Sequence, residues 1–263
     1  MSDAYQKTFR GYLIDHHSPA PPVVTLDKLS IDEYRAFFKT ACISNLMVYC
    51  KDHWGYSYYD TQLGVRHPAL KQDWVAAVRQ VLREEGIEFN AYYCLEYDTL
   101  APTLHPEWSL VDAAGQPVRL KGRMAKWGMP CYETGYRDQV LGQLREIVSQ
   151  YQPDSLFLDI FGKSLCYCPS CRARFKREFG YDLPVVGTEN LDEYQSLDFG
   201  AAGQDVNRFL ENCAADLLAE IKQTLKAIDP TLKITINFAA LYPKRIRDML
   251  DYQFTEPWAG NWL

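Results

Sequence analysis

Residues 155–162 read Ser-Leu-Phe-Leu-Asp-Ile-Phe-Gly, an apolar run with one carboxylate, Asp159, lodged between Leu158 and Ile160. A short apolar run bounded by a turn (Tyr-Gln-Pro-Asp, 151–154) and by Gly162 predicts a strand buried on both faces, as in a parallel sheet. Upstream, Val140, Leu144, Ile147 and Val148 recur at helical spacing over 136–150. Downstream, Pro169 near a first turn and Gly180 at the stop bound a short helix.

Working outward, the same alternation recurs. A first strand spans 11–15 and ends in His16 and His17, and the Pro-rich stretch after it is a loop. Ser30 with Glu33 forms a capping-box pattern ahead of Ile31, Tyr34, Phe37, Phe38 and Ala41. A second strand covers 45–50, a helix runs over 71–85 and stops at Gly86, and a third strand is read in FNAYYCLEYD (89–98). Residues 99–132 show little period of either kind and are long enough to be a functional loop. After an insertion at 182–203, a long helix through Phe209, Cys213, Leu217, Ile221 and Leu225 leads to a fifth strand (233–238), a short helix (244–250) and a sixth strand (252–256).

Alternating strands and helices predict a parallel sheet covered by helices, either doubly wound or closed as a (β/α)8 TIM barrel. Polar residues gather after many strands rather than beside one crevice, which favours the barrel. Six strands are legible, so the expectation is one domain over 1–263, a barrel lacking its last strands and truncated at the C-terminus.

With 47% hydrophobic and 24% charged residues, the chain is globular rather than disordered. A net charge of −6 argues against nucleic acid as a partner, because phosphate backbones are held by clustered Lys and Arg. No apolar leader and no 18-residue apolar run is visible, so the expectation is a cytoplasmic protein with no membrane partner. No GxGxxG or Walker-type loop follows a strand, so no organic cofactor is expected. The 18 Tyr and 6 Trp supply flat apolar ring faces of the kind that line carbohydrate clefts.

Asp159 and Glu256 each stand at the end of a strand. Two carboxyl groups across one cleft are the minimal equipment for glycoside hydrolysis, one as acid/base and the other as nucleophile or base. Around them, His16, His17, Lys51, His53, Trp54, Tyr58, Glu96, Trp127, Tyr136, Arg137 and Asn237 are candidates for binding a polar ring through hydrogen bonds and aromatic faces. His16 and His17 are neighbours, and adjacent residues of a strand face opposite ways, so at most one should look into the site. His16, His17 and His53 also allow a metal-dependent hydrolase, although strands four to six offer no further His. A non-catalytic carbohydrate-binding module on a degenerate barrel is the other reading. Cys166, Cys168 and Cys171 supply three soft ligands within six residues, and Cys131 would complete a four-cysteine structural zinc site.

The segments KDHWGYSYYDTQLGVRHPAL (51–70), CYETGYR (131–137), SLFLDIFG, CYCPSCRARFKREFGYDLP (166–184) and DYQFTEPWAGN (251–261) together resemble the hypothetical glycosyl hydrolase 6 family. That family resembles α-L-fucosidases and, more loosely, the trimerising β-galactosidases. The resemblance implies a (β/α)8 barrel acting on glycosides. By likeness to the fucosidases Asp159 would be the nucleophile. By likeness to the β-galactosidases its place, shortly before a similar cysteine cluster with a fourth ligand from an earlier loop, would be that of the acid/base. The family also implies a longer chain and leaves a homo-oligomer open.

Overall fold

The computed structural model describes residues 10–118, 126–162, 164–185 and 200–254. Seven strands form one sheet: β1 (Gly11–Leu13), β2 (Asn45–Lys51), β3 (Tyr56–Ser57), β4 (Val65–Arg66), β5 (Glu88–Cys94), β6 (Ser155–Asp159) and β7 (Lys233–Ile236). The longer helices are α1 (Ile31–Ala41), α2 (Trp74–Glu85), α4 (Tyr136–Tyr151), α5 (Pro169–Phe179) and α6 (Gly200–Lys226). Two shorter ones are α3 (Leu100–Leu104) and α7 (Lys244–Arg247).

Local chemistry sets most boundaries. Ser30 Oγ accepts the backbone N–H of Glu33 at the start of α1, and Asp73 does the same for Ala76 at the start of α2. The second cap moves the start of that helix from the expected residue 71 to 74. Gly86 ends α2 in the left-handed region, where its N–H caps Leu82 and Arg83 carbonyls. Strand β6 stops at Asp159 because Ile160 and Gly162 both turn to positive φ.

Strands β1, β2, β5, β6 and β7 are parallel and lie side by side in chain order. Their connecting helices touch in the same succession, α1 to α2, α2 to α4 and α4 to α6. A doubly wound sheet reverses its order at a switch point, and this one does not. The expected barrel, lacking its last strands, is not shown as a barrel: among the described residues the sheet is open, with β7 at one end and β1 and the short β3–β4 pair beside β2 at the other. The expected sixth strand is absent over 252–254, the rest of it lying outside the described residues. There Asp251 and Tyr252 lean on β7 through a mixture of side-chain and backbone bonds, Asp251 Oδ2 accepting from Ile234 N and Tyr252 O accepting from Thr235 Oγ1. A further departure is local. Lys51 and Ser57 pair antiparallel, folding the 51–66 segment back as β3 and β4 beside the end of β2. No helix among the described residues is long and apolar enough to cross a membrane.

Candidate active site

The carboxyl ends of β1, β2, β5 and β6 bring four side chains together. Asp159, the last residue of β6, is buried and opposite Cys94 in the β5–β6 register. Tyr92, two residues earlier on β5 and therefore on the same face as Cys94, donates its phenol to Asp159 Oδ2. His53, in the turn after β2, holds Nε2 3.6 Å from Asp159 Oδ2. His17, in the loop after β1, presents Nε2 3.1 Å from His53 Nε2. Its other nitrogen bonds Asp15, which also accepts from Tyr49 OH at 2.8 Å. Tyr49 stacks on Tyr92 with ring centres 3.9 Å apart, so the carboxylate and both histidines stand on an aromatic floor. Trp127 lies over them, 4.7 Å from the His53 ring and 5.1 Å from that of Tyr97. Its indole N–H is buried with no partner among the described residues.

The electrostatics follow from burial against pairing. Burial raises the pKa of Asp159, opposed by the Tyr92 hydrogen bond, the Ile160 N–H and the charge of His17. Burial, with the charges of His17 and Lys51, pushes His53 well below its ordinary value and keeps it neutral. Burial also works against charge on His17, but the Asp15 bond and the Asp15 and Asp159 charges outweigh it and raise its pKa. Asp15 resists the effect of burial through His17 and falls to about 2. The site therefore holds a neutral imidazole between an imidazolium-favouring pair and a carboxylate of raised pKa.

The other expected site residues divide. His16 faces away from His17, with Nε2 3.3 Å from Tyr34 OH and a pKa lowered to about 4 by burial. Trp54 borders Trp127 at 6.3 Å and donates its indole N–H to Ser18 O. Lys51 is fully buried and directed elsewhere: a register shift after Tyr49 pairs it with Tyr93, on the face opposite Tyr92. There its ammonium bonds Cys94 O, Tyr136 OH and Asp98 at 2.7, 3.1 and 2.9 Å. Arg137 pairs with Glu220 and Glu133, Glu96 accepts from Ser164 N, and Asn237 accepts from Phe161 N. Tyr58 donates to Asp52. Glu256 lies outside the described residues. Sequence reasoning missed Tyr92, Cys94, Tyr49 and Asp15; the period-2 alternation of β5 was the signal for the first two.

Cys131, Cys166, Cys168 and Cys171 form a buried cluster, all four sulfurs within 4.8 Å of one another and none in a disulfide. Sulfurs around one zinc ion at Zn–S of about 2.3 Å stand roughly 3.8 Å apart in a tetrahedron. The Cys131 sulfur is 3.9 Å from that of Cys168 and 3.5 Å from that of Cys171. Val111 N and Cys168 N donate to Cys166 Sγ, which suits a thiolate. The donor set fits a metal ion and would tie the 99–132 excursion to the start of α5.

A match to a known family lies in the first half of this geometry. Residues 31–160 match the hypothetical glycosyl hydrolase 6 family. The glycosyl hydrolase 6 match covers β2, β5 and β6 and ends one residue beyond Asp159, bearing out the resemblance read from the sequence. Among solved structures, the α-L-fucosidase isoenzyme 2 of Paenibacillus thiaminolyticus is similar in fold, with a TM-score of 0.75 at 22% identity over 93% of this chain and 35% of its own. The β-galactosidase of Bacillus circulans sp. alkalophilus gives 0.67 at 16% identity over 95% of this chain and 39% of its own. At these identities the likeness is one of fold. The chain spans little more than a third of either enzyme. No curated protein matches it.

Proposed function

We propose that this chain carries the catalytic centre of a retaining glycoside hydrolase, with Asp159 as nucleophile and Glu256 as acid/base. The observation that carries the reading is the placing of Asp159: a buried carboxylate at the mouth end of a central parallel strand, hydrogen-bonded by Tyr92 and flanked by His53. The family match and the fucosidase-like fold support it.

In this mechanism Asp159 attacks the anomeric carbon while the acid protonates the departing glycosidic oxygen. Water, deprotonated by the same second residue, then releases the sugar from Asp159. Tyr92 orients the nucleophile. The cationic form of His17 favours the ionised state of Asp159, offsetting the burial that opposes it. Neutral His53 and the unpartnered indole N–H of Trp127 are left to hydrogen-bond sugar hydroxyls, with the ring faces of Trp127 and Tyr97 beneath apolar C–H groups. Retention requires the two carboxyl groups about 5 to 5.5 Å apart. The substrate proposed first is an α-L-fucoside, with a β-galactoside as the alternative. The four-cysteine cluster is assigned a structural zinc ion.

The test is hydrolysis of aryl α-L-fucosides and β-D-galactosides by the wild-type chain and by Asp159→Ala. The expected result is turnover of one class, lost by about a thousandfold or more in the variant, as for removal of a covalent nucleophile. Sugar binding without turnover by the wild-type chain would instead establish a binding module. A folded variant with near-normal rates would remove Asp159 from the role.

A further inference from the structure

The convergence of His17, His53, Cys94 and Asp159 is more than a sugar site requires. The ligand atoms of His53, Cys94 and Asp159 lie within 4.8 Å of one another, all three buried. His17 adds a second imidazole nitrogen 3.1 Å from that of His53. Ligands of one tetrahedral zinc ion, at about 2.0 to 2.3 Å each, stand roughly 3.3 to 3.8 Å apart, so atoms now within 4.8 Å of one another seat an ion when the widest pair closes by at most about 1 Å. Two further features are those of metal-bound side chains. His17 gives its remote nitrogen to Asp15, the carboxylate–histidine pair that fixes a ligating imidazole, and Asp159 is itself held by Tyr92. His53 Nδ1 is buried with no partner, so within the described residues the polar contacts of that ring lie at Nε2, toward His17 and Asp159.

We infer that His17, His53 and Asp159, with Cys94 behind them, form a second metal site for a divalent transition-metal ion of the zinc class, separate from the four-cysteine cluster. Mixed nitrogen, sulfur and oxygen donors suit zinc over magnesium or calcium, which take oxygen. The imidazole of His17 is the most open of the four groups, with 39% of its side chain exposed, and gives the ion its route of entry. An ion held there occupies the carboxylate assigned above to nucleophilic attack, so zinc binding and turnover exclude one another wherever that assignment holds.

The experiment is zinc content per chain, measured by mass spectrometry after equilibration with excess zinc and removal of unbound metal. Wild type is compared with His53→Asn, Asp159→Asn and the distant Cys171→Ser, each checked for native circular dichroism. The expected result is that His53→Asn and Asp159→Asn each lose one equivalent relative to wild type. Cys171→Ser is expected to retain that equivalent. Should one of the first two fail to fold, the other gives the same comparison. Equal zinc in wild type and the folded variants overturns the site, whether or not the cysteine cluster is loaded. Because zinc content is read without substrate, variants that lose hydrolysis but keep all their zinc refute the metal site and leave the hydrolase reading standing.

Discussion

Tyr92 and Asp159 come from adjacent parallel strands, and the phenol of one donates to the carboxylate of the other across the face that carries the candidate site. A hydrogen bond to a charged acceptor contributes about 1.5 to 3 kcal/mol. Tyr92→Phe is therefore expected to slow glycoside hydrolysis by roughly 10- to 150-fold with the fold intact. Steady-state kinetics check it; a change below about threefold would show that the bond does not orient the nucleophile.

The pH dependence follows from the same carboxylate. Asp159 must be ionised to attack, and its pKa is raised, so the acid limb of kcat/KM should lie above the ordinary aspartate range of about 4. The charge of His17 opposes that rise. His17→Gln removes it and should move the acid limb to still higher pH. An acid limb that stays in place would disconnect His17 from the nucleophile.

Asp52 gives a stability prediction independent of catalysis. Burial raises its carboxyl to about 7, against the N–H groups of Tyr56 and Trp54 that its Oδ1 accepts. A folded pKa above the unfolded one means that stability is full below about pH 4 and falls as pH rises toward 7, by at most about 1.4 kcal/mol per pH unit. Asp52→Asn keeps an oxygen for both N–H groups and cannot ionise. Denaturant melts at pH 5 and pH 8 should show a smaller loss of stability in the variant than in wild type; equal losses would mean that Asp52 is ionised at no cost.

Lys51 and Asp98 are both fully buried, 2.9 Å apart. Removing one partner of such a pair leaves an uncompensated charge, at a cost of about 3 to 5 kcal/mol. Lys51→Met should therefore lower the urea midpoint sharply, and Lys51→Met with Asp98→Asn should recover part of the loss. A single variant as stable as wild type would show the pair to be dispensable.

For the cysteine cluster, Cys171→Ser should release the zinc assigned to it and loosen the 99–132 excursion. Limited proteolysis reads the second effect. Unchanged cleavage alongside lost zinc would confine the ion to a local role.

Much of the architecture is legible along the chain because its signals are local. Ser30 with Glu33, Gly86, Gly180 and the apolar run at 155–159 each act within one turn or one strand, and each boundary stands where its chemistry puts it, to within a residue or two. The start of α2 differs because Asp73 is the cap. Strand one ends at Leu13 rather than at residue 15; the apolar Ile14 extends its pattern past the last paired residue.

The candidate site was legible only in part. Position at a strand end selected Asp159, His17 and His53, and the C-x-C-x-x-C spacing selected three of the four clustered cysteines. Lys51 stands at a strand end too, yet the register shift after Tyr49 turns it to the other face, and nothing in its neighbours' identities announces a one-residue shift. Arg137 is claimed by Glu220, 83 residues away.

The sequence by itself determined the five parallel strands, the longer helices and the cysteine trio, since hydrophobic period, caps and ligand spacing are short-range and written in consecutive residues. Only the tertiary structure decided that His17 meets His53 and Asp159, that Tyr92 holds the carboxylate, and that the sheet of the described residues stays open. Those outcomes depend on register and on contacts between residues dozens of positions apart, where the free energy belongs to the packed whole rather than to any local segment.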